Sequence, residues 1–309
     1  MRALLVVNPS ATATTRRGRD VLTSALGRGL KLDEAVTESR GHAIALGARA
    51  RSDGYDVVLV LGGDGTVNEV VNGLLADGVP QDPRDIPMLA AMPGGSTNVF
   101  ARSLGYSPDA VEATSELLER LDAGQERLLG LGRADDRYFT FNAGLGLDAD
   151  AVRRVEERRA AGSRASAALY IRAAVRQFYV GRARRVPVTV RAGGAEPFEA
   201  HLALVCNTRP WTYLNDRPLL VCPDASYDTG LDAFVLTELR SVPTLRLLGQ
   251  TLRREPEPPH GRHLVALHDE AVIALEAEQP LPFQLDGDYV GDVERVVLRA
   301  VPDALRVIA

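Results

Sequence analysis

The chain has 309 residues, of which 45% are hydrophobic, and this is sufficient for two domains with separate cores. A formal net charge of −5 argues against a nucleic-acid-binding protein, and two cysteines, Cys206 and Cys222, exclude a disulfide framework and a paired-cysteine zinc site. The N-terminal apolar run is shorter than the core of a secretory signal, and no segment reaches the ~18–20 consecutive apolar residues of a membrane span, so we expect a cytoplasmic protein.

Strands and helices alternate in the pattern of residues 1–126. Strand patterns at residues 3–8, 31–37, 56–63 and 86–95 are each followed by a helical pattern, which is typical of a mostly parallel sheet with helices on both faces. In such sheets, ligands bind beyond the carboxyl ends of the strands. The residues at these ends should therefore meet at one edge of the sheet; they are Asn8, Thr37, Gly62 to Thr66 and Gly94 to Asn98.

The pattern changes after residue 126. Short strands separated by Gly, Asp and Pro turns, among them 271–278 and 281–288 on either side of Pro280, predict a β-sandwich-like second domain over residues 127–309. Helical stretches are predicted near 147–160 and 163–180. The last strand, about residues 295–309, either stays in this domain or returns to the first one. The predicted fold class is a mostly parallel α/β domain followed by an all-β domain.

A glycine-rich turn, GGDGT at residues 62–66, joins a predicted buried strand to a predicted helix. Its glycines let a ligand approach the backbone, and the helix that begins at Thr66 presents unpaired NH groups to an anion. A P-loop is excluded because no Lys-Ser or Lys-Thr pair follows the glycines. A carboxylate at Asp64 beside a polyphosphate requires an intervening cation, which predicts a nucleotide with Mg²⁺. The alternative is that Asp64 caps the helix.

A second turn, PGGSTN at residues 93–98, has similar chemistry. Two glycines follow a strand, and the side chains of Ser96, Thr97 and Asn98 suit either a phosphate or an ordinary helix N-cap. Together with the first turn, this segment predicts two anion-binding helix starts at one edge of the sheet.

Six motifs occur in the order seen in the diacylglycerol kinase catalytic-domain family, and the chain resembles that family over nearly its whole length. They are NPSA at 8–11, TESRGHA at 37–43, GGDGTVNEVVNG at 62–73, PGGSTNVFAR at 93–102, FNAGLGLDADAV at 141–152 and QLDGD at 284–288. The family includes bacterial lipid kinases and sphingosine kinases. The resemblance implies a nucleotide domain similar to that of NAD kinases and phosphofructokinases, a β-sandwich domain, an active site in the cleft between them, and ATP and Mg²⁺ as cosubstrate and cofactor.

The resemblance also implies roles for individual residues. Asp286 matches the family's proposed general base, which accepts the proton of the attacking hydroxyl; the alternative is that it forms the Asp-Gly turn of a hairpin. Asp288 stands where the family usually has Glu, and Ser96 where it more often has Thr. The residues expected to bind the cofactor are Asn8, Thr37, Gly62, Gly63, Asp64, Gly65, Thr66, Val67, Asn68, Ser96, Asn98 and Asp288.

Departures from the family pattern bear on the metal and acceptor sites. Val99 replaces the usual Asp after the second turn, and Thr229 occupies an Asp position of an Asn-Asp-Gly motif, with Asp228 one position early. We therefore expect a second, structural Mg²⁺ site to be weakened or absent, while Asp64 still serves the nucleotide metal. A harsher alternative is that phosphoryl transfer itself is impaired. The aromatic residues of NTRPWTYLNDRP, at 207–218, either shape a different acceptor site or simply pack within a loop.

A basic segment is the last informative feature. Residues 151–185 contain ten arginines and two glutamates, a net charge of +8. Interspersed apolar residues make this segment suitable for holding the protein at an anionic lipid surface. The alternative is a helix with one solvated face and one face in the core.

These observations lead to one main hypothesis and two alternatives. The chain is expected to be an ATP-dependent lipid kinase of phospholipid metabolism, with diacylglycerol as the first candidate acceptor, and to be cytoplasmic and peripherally bound to membranes. One alternative is a kinase of a soluble acceptor such as NAD, and the other is a nucleotide-binding regulatory protein without turnover. No nucleic-acid partner is expected, while a homodimer and the identity of the lipid are left open.

Overall fold

The computed structural model describes residues 1–14, 16–27, 29–146, 149–150, 152–153, 186–251 and 257–309. The chain divides into two compact units. The first contains Met1–Gly130 together with Asp303–Ala309, and the second contains Leu131–Pro302. Of the predicted last strand, residues 303–309 thus belong to the first unit and residues 295–302 to the second.

The first unit contains alternating strands and helices. In chain order they are β1 (Arg2–Val7), α1 (Arg16–Leu26), β2 (Lys31–Val36), α2 (His42–Ser52), β3 (Val57–Gly62), α3 (Asp64–Leu74), a 3₁₀ turn (Pro83–Asp85), β4 (Met88–Pro93), α4 (Val99–Ser103), α5 (Ala110–Asp122) and the start of β5 (Arg127–Ala134).

The sheet of the first unit is parallel. Its strands lie in the order β2, β1, β3, β4, and the end of the last strand of the chain joins β4 in parallel through Val307 and Leu89. Every residue of β3 is buried, as expected of a central strand with both faces covered, and this explains its unbroken apolar sequence. Parallel pairing also places the carboxyl ends of β1 to β4 at the same edge.

Helices α2 and α3 approach each other through glycines. A Cβ added at Gly73 would lie 2.1 Å from the carbonyl oxygen of Ile44, and one added at Gly47 would lie 2.5 Å from that of Val70. Both helix backbones are therefore close enough that a methyl group cannot fit without moving one of them.

Gly73→Ala is expected to destabilise the protein by about 1–3 kcal/mol, because overpacking at this crossing outweighs the gain in helix propensity. Gly249→Ala is the matched control, since this glycine also lies in a helix but has nothing within 4 Å of its added Cβ. The control should keep or raise the melting temperature in calorimetry. Equal melting temperatures for the two variants would contradict the close approach of α2 and α3.

The second unit is mainly antiparallel. Besides the end of β5, its elements are β6 (Arg137–Phe139), β7 (Asn142–Gly146), β8 (Val188–Ala192), β9 (Phe198–Ala200), β10 (Leu202–Cys206), β11 (Thr212–Leu214), β12 (Arg217–Leu219), β13 (Leu231–Leu236), α6 (Ser241–Thr251), β14 (Leu264–Glu270), β15 (Val272–Leu285) and most of β16 (Asp288–Val307).

The long strand β15 joins two groups of strands around one core. Its first half pairs with β8 and its second half pairs with β7. Its pairing with β16 shifts register between Glu276 and Leu281. Strands β7, β10, β13 and β14 then follow in order. Side chains from both halves enter one buried apolar cluster, including Leu275 and Phe283.

The predicted fold class is confirmed, with a parallel α/β region followed by a β-sandwich-like domain. Helix α6 has no counterpart among the predicted elements, and the two strands predicted on either side of Pro280 form the single strand β15. The helical stretches predicted near 147–160 and 163–180 fall almost wholly outside the described residues. Among the helices that the structure describes, none has the length and apolar character needed to cross a membrane.

Candidate active site

The structure brings the predicted nucleotide residues of the first unit to one edge of its sheet. The NH of Asn8 donates to the carbonyl of Leu61 at 3.0 Å, and the NH of Thr37 donates to the carbonyl of Val7 at 2.9 Å. These bonds continue the ladder just beyond the strand ends. The side chain of Asn8 reaches helix α3, where its Nδ2 donates to Oγ1 of Thr66 at 2.9 Å.

The two glycine turns pack directly against each other at this edge. The NH of Gly94 donates to the carbonyl of Gly62 at 2.9 Å. A Cβ at Gly94 would lie 2.8 Å from the backbone nitrogen of Gly62, and one at Gly95 would lie 2.6 Å from Cα of Gly63. The close contact between the two backbones therefore requires glycine at these positions, in addition to any approach of a ligand. The sequence pattern alone does not reveal this reason.

Helix α3 begins directly at the first glycine turn. Gly63 is its N-cap and has extended backbone, and the helix runs for 11 residues from Asp64. The first NH groups of a helix lack partners within the helix and lie at the positive end of its dipole. With bare glycine backbone around it, this end of α3 can receive a phosphate group.

The carboxylate of Asp64 binds a second helix start. Its Oδ1 accepts a hydrogen bond from the NH of Phe100 at 3.0 Å, within the first turn of α4. Asp64 thus caps α4, a contact that goes beyond the alternative of a cap on its own helix. This contact ties the two glycine turns together and leaves the role of Asp64 toward Mg²⁺ a prediction.

Asn98 shapes the second turn from within. It is buried, has a φ of 51°, accepts the NH of Gly95 at 2.7 Å through Oδ1 and donates to the carbonyl of Gly95 at 3.1 Å through Nδ2. Its amide is thus engaged with the turn itself. Ser96 is exposed, with its hydroxyl 3.4 Å from that of Thr97. Nucleotide contacts of Asn98 and Ser96 stay predictions.

Glu69 is a structural residue of this site that was not among the residues predicted from the sequence. Its carboxylate accepts the NH of Gly41 at 2.8 Å and the NH of Ala43 at 3.2 Å, so that it caps helix α2 from α3. It thereby fixes the segment that follows Thr37. The sequence signal for this role is an acidic residue directly after Asn68 in the glycine-turn motif. In the structure its partner Gly41 has a φ of 84°.

Val99 and Asp228, two residues that bear on the structural metal site, lie in different units. Val99 is 2% exposed and begins helix α4, and the NH of Asp228 donates to the hydroxyl of Ser226 at 3.2 Å. In the part of the chain that the structure describes, no three His, Cys, Asp or Glu side chains are placed to hold a metal ion together. Nearby, burial raises the pKa of Asp232, opposed by hydrogen bonds from the NH of Asp269 and from His268. Metal binding by Asp228 stays a prediction.

Asp286 lies in the second unit at a tight hairpin turn. Leu285 pairs with Asp288, and the two residues between them, Asp286 and Gly287, have φ angles of 51° and 79°. Positive φ at both central residues is typical of a type I′ hairpin turn, which is the alternative considered for this motif. The carboxylate of Asp286 is buried and accepts four hydrogen bonds from residues 140–142. Asp288 begins β16, and its nucleotide contact, like the basic role of Asp286, stays a prediction.

Trp211 directly precedes β11, the first strand of a short hairpin with β12. Its NH donates to the carbonyl of Leu219 at 3.1 Å, and its ring packs against the apolar cluster that contains Leu204 and Phe234. This supports the packing interpretation of Trp211. Tyr213 is half-buried in β11, and its contact with an acceptor stays a prediction.

The basic segment predicted to contact membranes, residues 151–185, lies outside the described residues, except for Val152 and Arg153. The guanidinium of Arg153 forms an ion pair with Asp150 and lies 3.9 Å from Oδ1 of Asp292. Arg153 is therefore engaged within the second unit.

Comparisons with known proteins agree with this architecture. The family model for the diacylglycerol kinase catalytic domain matches residues 2–128, and that for the YegS C-terminal NAD kinase beta sandwich-like domain matches residues 142–309. A diacylglycerol kinase of Staphylococcus carnosus (strain TM300) is 23% identical over 308 residues, which cover 94% of this chain and 90% of that protein. A diacylglycerol kinase of Staphylococcus aureus (strain JH9) is 25% identical over 293 residues, which cover 94% of this chain and 87% of that protein.

A solved structure has the same fold. The crystal structure of a diacylglycerol kinase from Bacillus anthracis str. Sterne superposes with a TM-score of 0.73 at 22% identity, covering 99% of this chain and 96% of that one. The two family models together span almost the whole chain, in the order that the sequence motifs predicted. The chain therefore belongs to the diacylglycerol kinase catalytic-domain family and is a kinase, that is, a phosphotransferase with an alcohol acceptor.

Proposed function

We propose that this chain transfers the γ-phosphoryl group of ATP to the hydroxyl of a membrane lipid, with diacylglycerol as the first candidate acceptor. The observation that carries the proposal is the pair of glycine turns packed at the start of α3, which leaves bare backbone and a helix N-terminus at one sheet edge. Relatives that cover most of this chain are named diacylglycerol kinases, which supports the same acceptor class.

The residues present at this edge fit a nucleotide with Mg²⁺. A Cβ at Gly94 or Gly95 would strike the facing backbone, so the turns form a cradle that only glycine permits. The NH groups at the start of α3 would hold the phosphates, and the carboxylate of Asp64 would hold the metal. Bound there, Mg²⁺ would neutralise the phosphate charge that develops during transfer. Asn8 and Glu69 would keep the turn and the Thr37 segment in place.

A test of the acceptor uses purified protein with ATP and Mg²⁺, supplied separately with diacylglycerol micelles, a sphingoid base in micelles, and NAD. We expect a phosphorylated product only with a lipid. Phosphorylated NAD would favour the soluble-acceptor alternative. ATP binding with no product on any acceptor would favour the regulatory alternative, for which Val99 at the usual Asp position is the specific observation.

Membrane attachment through the basic segment is part of the proposal. Reversing Arg154, Arg158 and Arg159 to Glu should lower binding to anionic vesicles at least about tenfold, since each basic residue near such a surface contributes ~1 kcal/mol. Binding by the wild type should also weaken as salt is added. Arg153 is left unchanged because it pairs with Asp150.

The control for vesicle binding reverses the same number of charges elsewhere in the second unit. Arg191, Arg295 and Arg299 are exposed positions on β8 and β16, and their reversal should affect binding much less. Equal losses in the two triple variants would show that only net charge matters, and salt-independent binding would contradict the electrostatic attachment.

A further inference from the structure

We propose that Asp286 is a positioning residue, whose carboxylate holds residues 140–142 and, through them, the segment 207–211, which leads to Tyr213 at the proposed acceptor site. This inference rests on the proposed function and refines it, because it removes the task of taking the substrate proton from Asp286. It is carried by a set of buried hydrogen bonds that lies entirely within the second unit.

The carboxylate of Asp286 is surrounded by donors. Its Oδ2 accepts the NH of Thr140 at 2.7 Å and the hydroxyl of Thr140 at 2.9 Å, and its Oδ1 accepts the NH of Phe141 at 2.9 Å and the NH of Asn142 at 3.1 Å. An ionised carboxylate offers about four lone-pair sites, so these donors fill it. Asp286 is also only 4% exposed.

The backbone adds a return contact. The NH of Asp286 donates to the carbonyl of Asn142 at 2.9 Å, and the φ of 51° at Asp286 places the residue in the left-handed region. Asp tolerates this conformation better than most residues. Hydrogen bonds therefore run in both directions between the hairpin turn and residues 140–142.

Two buried amides extend this arrangement. Nδ2 of Asn207 donates to the carbonyl of Thr140 at 3.0 Å, and its NH donates to the carbonyl of Phe141 at 2.8 Å. Nδ2 of Asn142 donates to the carbonyl of Trp211 at 3.2 Å, while its Oδ1 accepts from Gln284 at 2.8 Å. The segment 207–211 is thus hydrogen-bonded to residues 140–142, which the carboxylate of Asp286 holds in place.

This geometry determines which task suits Asp286. A general base needs a lone pair within hydrogen-bond reach of the substrate hydroxyl. Here a substrate would have to displace a donor from a buried carboxylate, and the displaced NH would lose its partner. Holding four donors needs only the negative charge and its position. Positioning residues 140–142 is therefore the task that fits this carboxylate.

Hydrogen exchange tests the inference without relying on activity. In Asp286→Asn, the amides of residues 140–142 and of 207–211 should exchange at least about tenfold faster than in the wild type, because an amide group cannot accept all four donors. The amides of β3 should be unchanged. Wild-type exchange at residues 140–142 in this variant would overturn the inference, whether or not the protein proves to be a lipid kinase.

Kinetics then separate positioning from proton transfer. With a lipid acceptor, Asp286→Asn should raise KM for the lipid about tenfold, leave KM for ATP unchanged, and keep the shape of the pH profile of kcat. Thr140→Val removes one donor, the hydroxyl, and leaves the carboxylate. It should raise KM for the lipid by a smaller factor, and it keeps the test available if Asp286→Asn fails to fold. The contrary result in Asp286→Asn is a large fall in kcat, loss of the acid limb of its pH profile, and an unchanged KM for the lipid. That result would overturn the inference and leave the proposed function standing. If the wild type forms no product with any acceptor, the proposed function is wrong. Hydrogen exchange would still decide the role of Asp286.

Discussion

Replacing Asp64 with asparagine is expected to lower kcat for phosphoryl transfer from ATP by about 10²–10³, the usual effect of losing one electrostatic contact to developing charge. The amide keeps an oxygen that can accept the NH of Phe100, so the cap on α4 should survive. It loses the negative charge that we assign to the nucleotide metal. Steady-state kinetics at saturating lipid, with Mg²⁺ varied, would measure the change.

Asp64→Ala provides the comparison. It removes both the charge and the cap, and it should cost about 1 kcal/mol of stability in addition to activity, as is typical of a lost helix cap. A variant Asp64→Asn with wild-type kcat and unchanged Mg²⁺ dependence would rule out Asp64 as the metal ligand. It would leave this residue with capping as its only role.

Gly95→Ala is expected to weaken ATP binding at least about tenfold, because the new methyl group would separate the two glycine turns. The added Cβ would lie 2.6 Å from Cα of Gly63 and 3.0 Å from Oδ1 of Asn98. Neither turn can yield without moving the start of α3 or of α4. Calorimetric titration with ATP and Mg²⁺ would measure the affinity.

Gly29→Ala is the control for this variant. Gly29 also lies in a turn of the first unit, but nothing lies within 4 Å of its added Cβ, so affinity should stay at the wild-type value. Unchanged ATP affinity in Gly95→Ala, with the fold intact, would place the nucleotide away from the glycine turns.

Local pattern was sufficient for much of the first unit. The continuous apolar run of β3 indicated a strand buried on both faces, and the glycines after it indicated a helix start. Because parallel strands end at the same edge, Asn8 and Thr37 could be placed at the same sheet edge as the first glycine turn.

Long-range contacts explain what sequence pattern missed. Asp64 caps a helix that begins 35 residues later, and Glu69 caps α2 from the next helix along the chain. Such pairings depend on which helices become neighbours in space, and local propensity does not encode that. In the same way, the Asp-Gly motif at Asp286 suggested a hairpin or a base, but its partners at residues 140–142 lie 144–146 positions away.

Two elements of the second unit were misread for local reasons. Helix α6 contains Pro243 and Gly249, which weaken a helical pattern, although proline is tolerated in the first turn. Its Leu247 is buried against neighbouring strands, so tertiary packing stabilises this helix. Pro280 interrupts the alternation in β15, and the structure accommodates it where the pairing with β16 shifts register.

The most direct test of the central claim follows labelled phosphate from ATP into lipid. The wild-type protein is incubated with ATP labelled at the γ-phosphoryl group, Mg²⁺ and a total lipid extract, and the labelled product is identified by mass. We predict a single class of lipid that carries one added phosphoryl group with the label, and its loss in Asp64→Asn. Label that stays in ATP, or appears only in a water-soluble acceptor, would contradict the assignment of this chain as a lipid kinase.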